Sequence, residues 1–443
     1  MTAPENTLPA DRKSRTHLRL INGMVEVCAV HGYAAASVAR VLIATGISRS
    51  TFYEHFRDKD DCFQAAVRVV ADELVRYAGG ACGTHDERRA SAAEALVGFA
   101  LEEPAKARVF FVETLAAGPP CLSIRAECLA LLGEMTKDPI AAPTMNGRLQ
   151  RQATLIRGTS RLLAIRLTMP GAGADSVLAG AVNQWLNSYV DSPKSARDLT
   201  LRASDLSGSA VAARLPVIES AEQLARYPRL GGSASERRRL QRRRAMAAMV
   251  SCSYESSYAT VTVDDLVATA EISRKRFYEL FSDKADVAIQ ANEHFFQVTM
   301  TAVVGEFFAA RGWPERIWAA GFALLSFLGR HPREAYLAFV EAHAIGQEAV
   351  RLNYDRLGAF ALFLEEGLRS ETELVSRYCF DALGATMFEL VFGELLERRS
   401  AQRLLADLPV FVYVILAPFV GAEEAERFVA TKVAEIAHSD HAV

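Results

Sequence analysis

Two short stretches concentrate side chains that can hydrogen-bond to phosphate oxygens and base edges: Ser48-Arg49-Ser50-Thr51 and Ser273-Arg274-Lys275-Arg276. Each is followed by Phe-Tyr-Glu-x-Phe. The full segments GISRSTFYEHF (46–56) and EISRKRFYELF (271–281) agree at seven of eleven positions. A cationic or hydroxylated side chain at the start of a short helix is placed to donate to an anion or a base, while the aromatic pair holds the helix from behind.

The surrounding pattern supplies the elements that would position these groups. Ile21, Met24, Val25 and Cys28 recur at i, i+3, i+4 and i+7, one face of a helix that Gly32 stops. Ser37 caps a second helix with its core face at Val38, Val41 and Leu42. Thr45-Gly46-Ile47-Ser48 forms a tight turn, and Ser48 caps a third, very short helix. Phe52 and Phe56 bury on one side of it, which leaves Arg49, Ser50, Thr51 and Glu54 on the other, flanked by Tyr53 and His55. A further helix starts near Lys59. Two short helices joined by a glycine turn are the helix-turn-helix arrangement, whose second helix enters the major groove N-terminus first.

The repeat extends well beyond these motifs. At an offset of 225 (258 − 33 = 225), Tyr33 aligns with Tyr258, Ser37 with Thr262, Tyr53 with Tyr278 and Lys59 with Lys284. Farther on, EPAKARVFFVETLAAG (103–118) parallels HPREAYLAFVEAHAIG (331–346) at an offset of 228, with Glu113 over Glu341. The predicted organisation is all-α: a flexible tail over 1–14, a helix-turn-helix domain over 15–62, a helical regulatory domain over 63–204, a linker over 205–236, a second helix-turn-helix domain over 237–287, and a second helical regulatory and dimerisation domain over 288–443.

Composition excludes several function classes. The 443 residues are 50% apolar and 23% charged with net charge −3, so any basic surface is local. Seven cysteines lie scattered without metal-ligand or disulfide spacing, which suits a reducing cytoplasm. The N-terminus lacks a hydrophobic signal core, and the apolar run LPVFVYVILAPFV (408–420) is short of the ~20 residues that span a bilayer. No catalytic constellation, P-loop or metal motif appears, and the Gly-x-Gly in MPGAGADS (169–176) follows a helix rather than a strand. A non-enzymatic, cofactor-free protein without a membrane partner is expected.

SVARVLIATGISRSTFYEHFRDKDDCF resembles the N-terminal domain of the TetR family of transcriptional regulators. ARVFFVETLAAG and LPVFVYVILAPFVGAEEA are similar to the ligand-binding part of actinobacterial-type members, so the resemblance covers most of the chain in two tandem units. It implies an all-α fold, a double-stranded DNA operator, a small-molecule ligand whose binding releases DNA, and pairing through the last helices. Carried over, it places Arg49, Ser50 and Thr51 at bases. It places Tyr53, His55, Lys59 and the Ser37 helix start at phosphates, and Glu54 facing DNA. In the second unit the corresponding residues are Thr262, Arg274, Lys275, Arg276, Tyr278 and Lys284. That unit departs from the pattern: Glu271 replaces the turn glycine at about 1 kcal/mol if φ is positive, Ser257 replaces Gly32, and Leu280 replaces His55. Six arginines, Arg237–Arg239 and Arg242–Arg244, precede its reading helix and would add phosphate affinity.

Aromatic rows in the second half suggest an apolar ligand pocket, with Trp318, Phe322, Phe339 and His343 as candidate lining residues. The expected function is a ligand-released repressor reading an asymmetric operator with two nonidentical heads as an intramolecular pseudo-dimer. A homodimer in which only the first head reads DNA, or a ligand-binding protein with vestigial heads, are the alternatives.

Overall fold

The computed structural model describes residues 9–79, 85–135, 146–169, 176–189, 214–227, 233–369, 377–397 and 401–439. The tail over 1–8, the Gly-x-Gly loop over 170–175 and the linker residues 205–213 and 228–232 lie outside the described residues. Among the described residues the regular structure is helical throughout, without a strand. The first part of the chain holds α1 (Pro9–His31), α2 (Val38–Thr45), α3 (Arg49–His55), α4 (Lys59–Gly79), α5 (His85–Glu102), α6 (Pro104–Phe111), a 3-10 turn (Glu113–Ala116), α7 (Pro119–Met135), α8 (Asn146–Thr168) and α9 (Ser176–Asn187). Then follow α10 (Ala221–Ala225), α11 (Ala234–Ser256), α12 (Val263–Ala270), α13 (Arg274–Leu280), α14 (Lys284–Ala309), α15 (Trp313–Arg330), α16 (Pro332–Phe339), α17 (Ala342–Ile345), α18 (Gln347–Leu364), α19 (Arg377–Leu396), α20 (Ala401–Ala406), α21 (Leu408–Val420) and α22 (Ala422–Ser439).

Contacts divide the chain into one unit of Met1–Pro139 with Thr159–Asn183 and another of Ile140–Gly158 with Gln184–Val443. This division does not fall at the linker read from the sequence. In the first unit α4 packs on α1 and α7, and α6 lies on α1. Leu20, Met24, Cys28, Val41, Phe52 and Phe63 are fully buried there. Burying each large side chain contributes about 1.5–3 kcal/mol.

In the second unit Met249, Leu266, Phe277 and Val287 form a core of the same design. α14 packs along α15, and α21 lies against α15, α19 and α22. Every residue of α21 from Leu408 to Phe419 is buried. The stretch 403–420 is long and apolar enough to cross a membrane, with mean hydropathy 1.8, yet 72% of it is buried inside the fold. It is the central core helix of this unit. Gly158 permits close helix contact here, because a Cβ would lie 2.0 Å from Thr386 Oγ1. Tyr189, also buried, donates through its hydroxyl to Val414 O at 2.8 Å.

Two segments read as loose from the sequence are ordered. α1 already begins at Pro9, inside the expected tail. Residues 214–227 of the expected linker form a strap on α11, with Leu215 and Leu224 buried and α10 closed by a Ser220–Gln223 capping box. The described cysteines are free thiols. Burial pushes those of Cys28, Cys62, Cys121, Cys128 and Cys379 up to about 12, so they behave as apolar core groups.

Candidate nucleic-acid interface

In the first helical set Ser37 caps α2, its hydroxyl accepting from Arg40 N at 3.3 Å. α2 ends at Gly46, whose φ of 65° lets its N–H bond Leu42 O. Ser48 then caps α3 by accepting from Thr51 N at 3.2 Å. The hydroxyls of Ser50 and Thr51 lie 2.9 and 2.8 Å from Ser48 Oγ, so the cap also orients the two polar groups expected at bases. Phe52 is fully buried, with Phe56 5.7 Å from it and Tyr53 edge-on at 5.4 Å. Arg49, Tyr53 and Glu54 are exposed on the opposite face. His55 sits half-buried beside His17, and burial lowers its pKa first, with His17 and Lys13 adding to the effect.

α11–α14 reproduce this geometry with different side chains. Ser273 caps α13 through Arg276 N at 3.1 Å, Phe277 is fully buried, and Phe281 is 5.7 Å from it. Tyr278 is 51% exposed, matching Tyr53 at 52%. Leu280, where His55 stands in the first set, is a buried core residue. Glu271 adopts the left-handed conformation at φ 54°, and Ser257 has φ 73° where Gly32 has φ 77°. Both substitutions thus keep the glycine backbone at a strain cost of about 1–3 kcal/mol each. Glu271 carries an interaction that glycine lacks: Oε2 lies 3.8 Å from Nη1 of the buried Arg244.

The two sets differ most in charge. α2 has no acidic residue in its first turn, and Arg40 stands near its start. α12 carries Asp264 and Asp265 there, and Thr262 is locked in a capping box with Asp265. Carboxylates at a helix N-terminus stabilise the helix but repel phosphate. Arg274 Nη1 is 2.9 Å from Asp264 Oδ1. Arg276 donates to Gln241 Oε1 at 2.6 Å and to Glu279 Oε2 at 2.7 Å, and the latter bond lowers the Glu279 pKa. Lys275 is exposed.

Two groups expected at phosphates are turned inward. Lys59 Nζ lies 4.0 Å over the Tyr33 ring and donates to Tyr33 O at 3.3 Å. Lys284 Nζ lies 4.2 Å over Tyr258 and donates to Tyr258 O and Val261 O, each at 2.9 Å. These lysines latch the fourth helix of each set to the turn after the first. The arginine run is likewise only partly a surface feature. Arg237, Arg238 and Arg239 are exposed. Arg242 donates to Gln290 and Arg243 pairs with Glu219. Arg244 donates to the carbonyls of Leu224, Ala225 and Tyr227 at 3.2, 3.4 and 2.8 Å, which ties the strap to α11.

The candidate pocket residues are dispersed. Phe339 lines an apolar cavity of the second unit. Trp318 packs toward Phe428, and His343 Nε2 lies 3.3 Å from the Tyr354 hydroxyl. Neither they nor Phe322 is on the cavity wall. Sequence reasoning missed Asn292, which is on it. The available signal was a polar residue on the helix face shared by the buried Ala288, Ala291 and Phe295.

Residues 20–66 match the family model described as bacterial regulatory proteins, tetR family. A 64-residue stretch is 36% identical to the HTH-type transcriptional repressor AcnR of Corynebacterium glutamicum, covering 14% of this chain and 34% of that one. The chain therefore spans about a third of the length of the curated relative it matches. Among solved structures, a putative TetR-family transcriptional regulator from Syntrophomonas wolfei is 14% identical over 44% of this chain and 96% of its own, at TM-score 0.35. The fatty acid degradation regulator FadR from Bacillus halodurans is 17% identical over 40% and 96%, also at TM-score 0.35.

Proposed function

We propose, from the match of residues 20–66 to the family model of bacterial regulatory proteins, tetR family, that the chain is a DNA-binding transcriptional repressor with two unequal heads, released by a small molecule. The first head reads its half-site with Arg49, Ser50 and Thr51 in the major groove and grips phosphate with Tyr53 and the α2 start. α13, with Lys275 and Tyr278 outward, is the reading helix of the second head. The operator is asymmetric because the two reading helices present different side chains to the bases. The observation that carries this reading is the matched exposure of Tyr53 and Tyr278 behind fully buried Phe52 and Phe277. A fold has no need to hold a tyrosine outward twice at the same place.

A second reading has a specific observation in its favour. Asp264 and Asp265 at the start of α12, with Arg274 and Arg276 already paired to side chains, favour a second head that stays off DNA. Two chains would then supply two working heads. Footprinting of the full chain on genomic fragments, combined with Arg49→Ala and Lys275→Ala, separates the readings. Unequal heads on one operator predict that Arg49→Ala loses about 1–3 kcal/mol with relaxed specificity in one half-site. Lys275→Ala then reduces the salt slope by about one. A perfect inverted repeat, equally sensitive to Arg49→Ala in both halves and indifferent to Lys275→Ala, overturns the proposal in favour of the second reading.

A further inference from the structure

The second unit holds an apolar cavity between α14, α15, α16, α18 and α19 that DNA reading does not use. An adjoining chamber shares Leu324, Leu357, Phe360, Gly384, Met387 and Phe411 with it, so the two lie side by side. A wall of mainly apolar and aromatic side chains with a few polar groups is the lining of a small-molecule site.

Most polar side chains on the wall are already satisfied. Asn353 Nδ2 donates to Ala338 O at 2.5 Å, and Asn353 Oδ1 accepts from Arg356 Nη1 at 3.3 Å. Arg356 Nη2 lies 2.5 Å from Glu293 Oε2, so its charge is matched. Thr299 Oγ1 donates to Phe295 O at 2.8 Å. Asn292 is different. It is 3% exposed, it lines the cavity, and neither its Oδ1 nor its Nδ2 has a hydrogen-bond partner among the described residues. An unpaired buried amide is costly and calls for an explanation. Packing does not require it: at the offset of 225 the corresponding residue is Val67 (292 − 225 = 67), fully buried in the first unit.

We propose that Asn292 is the recognition group of a binding site for a neutral, elongated, mostly apolar molecule that carries one carboxamide or lactam. The ligand carbonyl accepts from Nδ2 and the ligand N–H donates to Oδ1, a two-bond match that satisfies both orphan atoms. The apolar body extends into the adjoining chamber. The ligand is neutral because Glu293 already compensates Arg356 and a carboxylate would have to displace it. The inference deepens the proposed small-molecule response and rests on that reading for its biological meaning, while the binding itself can be measured without DNA.

The test titrates the full chain, free of DNA, with octanamide, N,N-dimethyloctanamide and octanoate by calorimetry. The variants are Asn292→Val, the residue the first unit uses, and Phe360→Trp, which fills the cavity from a different helix. Wild type is expected to bind octanamide roughly tenfold or more tightly than the dimethyl amide, which lacks the donor. Asn292→Val loses that preference, and Phe360→Trp loses octanamide binding with Asn292 in place. Equal binding of the two amides by wild type, tighter binding of octanoate, or no heat with octanamide overturns the proposal. The amide comparison uses wild type alone, so it stands even if a variant does not fold. A normal operator footprint beside a failed titration sinks this inference and leaves the repressor reading intact. A missing footprint beside a successful titration does the reverse.

Discussion

Ser257 Oγ donates to Glu341 Oε2 across 3.3 Å, tying the turn after α11 to the α16–α17 junction. The first set makes the corresponding tie through its backbone: Tyr33 N donates to Glu113 Oε2 at 2.7 Å, and Arg108 Nε lies 3.2 Å from the same carboxylate. Both carboxylates are buried, at 6% and 5% exposure. A Cβ on Gly32 would meet Glu113 Oε2 at 3.4 Å, an ordinary contact, so the φ of 77° rather than space is what favours glycine there. In each set the turn after the first helix is thus held to the helices that follow by one buried glutamate.

Removing the first of these glutamates strands a backbone donor. Glu113→Ala is expected to cost about 1–3 kcal/mol in urea unfolding, since Tyr33 N–H loses its acceptor. At the second tie, Ser257→Ala keeps the φ of 73° and loses the hydrogen bond. Ser257→Gly loses the bond but relieves the backbone. The glycine variant should therefore be the more stable of the two by about 1 kcal/mol. The reverse order would mean that the backbone at 257 is unstrained.

The turn residues respond in opposite senses. Gly46→Glu forces a side chain into the left-handed conformation beside Arg19, which is exposed, and should destabilise by about 1 kcal/mol. Glu271→Gly relieves the same strain but removes the pair with buried Arg244. Its net effect should stay within about 0.5 kcal/mol in thermal unfolding. A gain larger than about 1 kcal/mol for Glu271→Gly would show that the backbone strain outweighs the ion pair.

Charge at the α12 start should limit DNA affinity. Asp264→Ser removes one carboxylate from an exposed helix terminus and releases Arg274 from its 2.9 Å pair. Under the unequal-heads reading, fluorescence anisotropy should record tighter operator binding and a salt slope steeper by about one. The mirror change, Arg40→Asp in the first head, should weaken binding by about tenfold or more, because it places a negative charge where phosphate is expected. No response to Asp264→Ser would favour a second head that stays off DNA.

Acidification should loosen the strap. His331 Nε2 accepts from Ile218 N at 3.5 Å, its ring lies 4.6 Å from that of Phe327, and Glu334 Oε2 is 4.0 Å from Nδ1. Burial lowers its pKa first, opposed by a backbone bond at Pro216 and aided by Arg330. Because the folded value lies below the ordinary one of about 6.5, the strap's hold through this ring is present above that pH and is lost as pH falls through the folded value. Hydrogen exchange at Ile218, corrected for its intrinsic rate, should accelerate from pH 7.5 to 5.5, and a His331→Phe variant should show no such pH dependence. Equal acceleration in the variant would place the effect elsewhere.

Local signals made much of this legible in the sequence. The all-helical fold follows from apolar spacing, and the caps at Ser37, Ser48 and Ser273 follow from residue types that accept from a nearby N–H. Phe52 and Phe56 are adjacent in the pattern and adjacent in space. What escaped depends on partners far along the chain. Lys59 follows an aspartate at a helix start and reads as a surface cation, yet Tyr33 covers it from 26 residues away. Asn292 reads as one polar residue in a helix until the walls of the cavity surround it. Arg244 looks like part of a basic run, and only its carbonyl partners on the strap reveal it as an anchor.

That anchor relocates a boundary. The helix carrying Arg244 begins at Ala234, and an excised fragment would naturally be cut there. Such a cut would strip the buried guanidinium of its three carbonyl acceptors and leave it beside the Glu271 carboxylate, 3.8 Å away. A fragment that keeps Arg244 satisfied therefore starts no later than Leu224. The strap is thus part of the smallest piece in which this helix keeps its buried charge solvated by backbone.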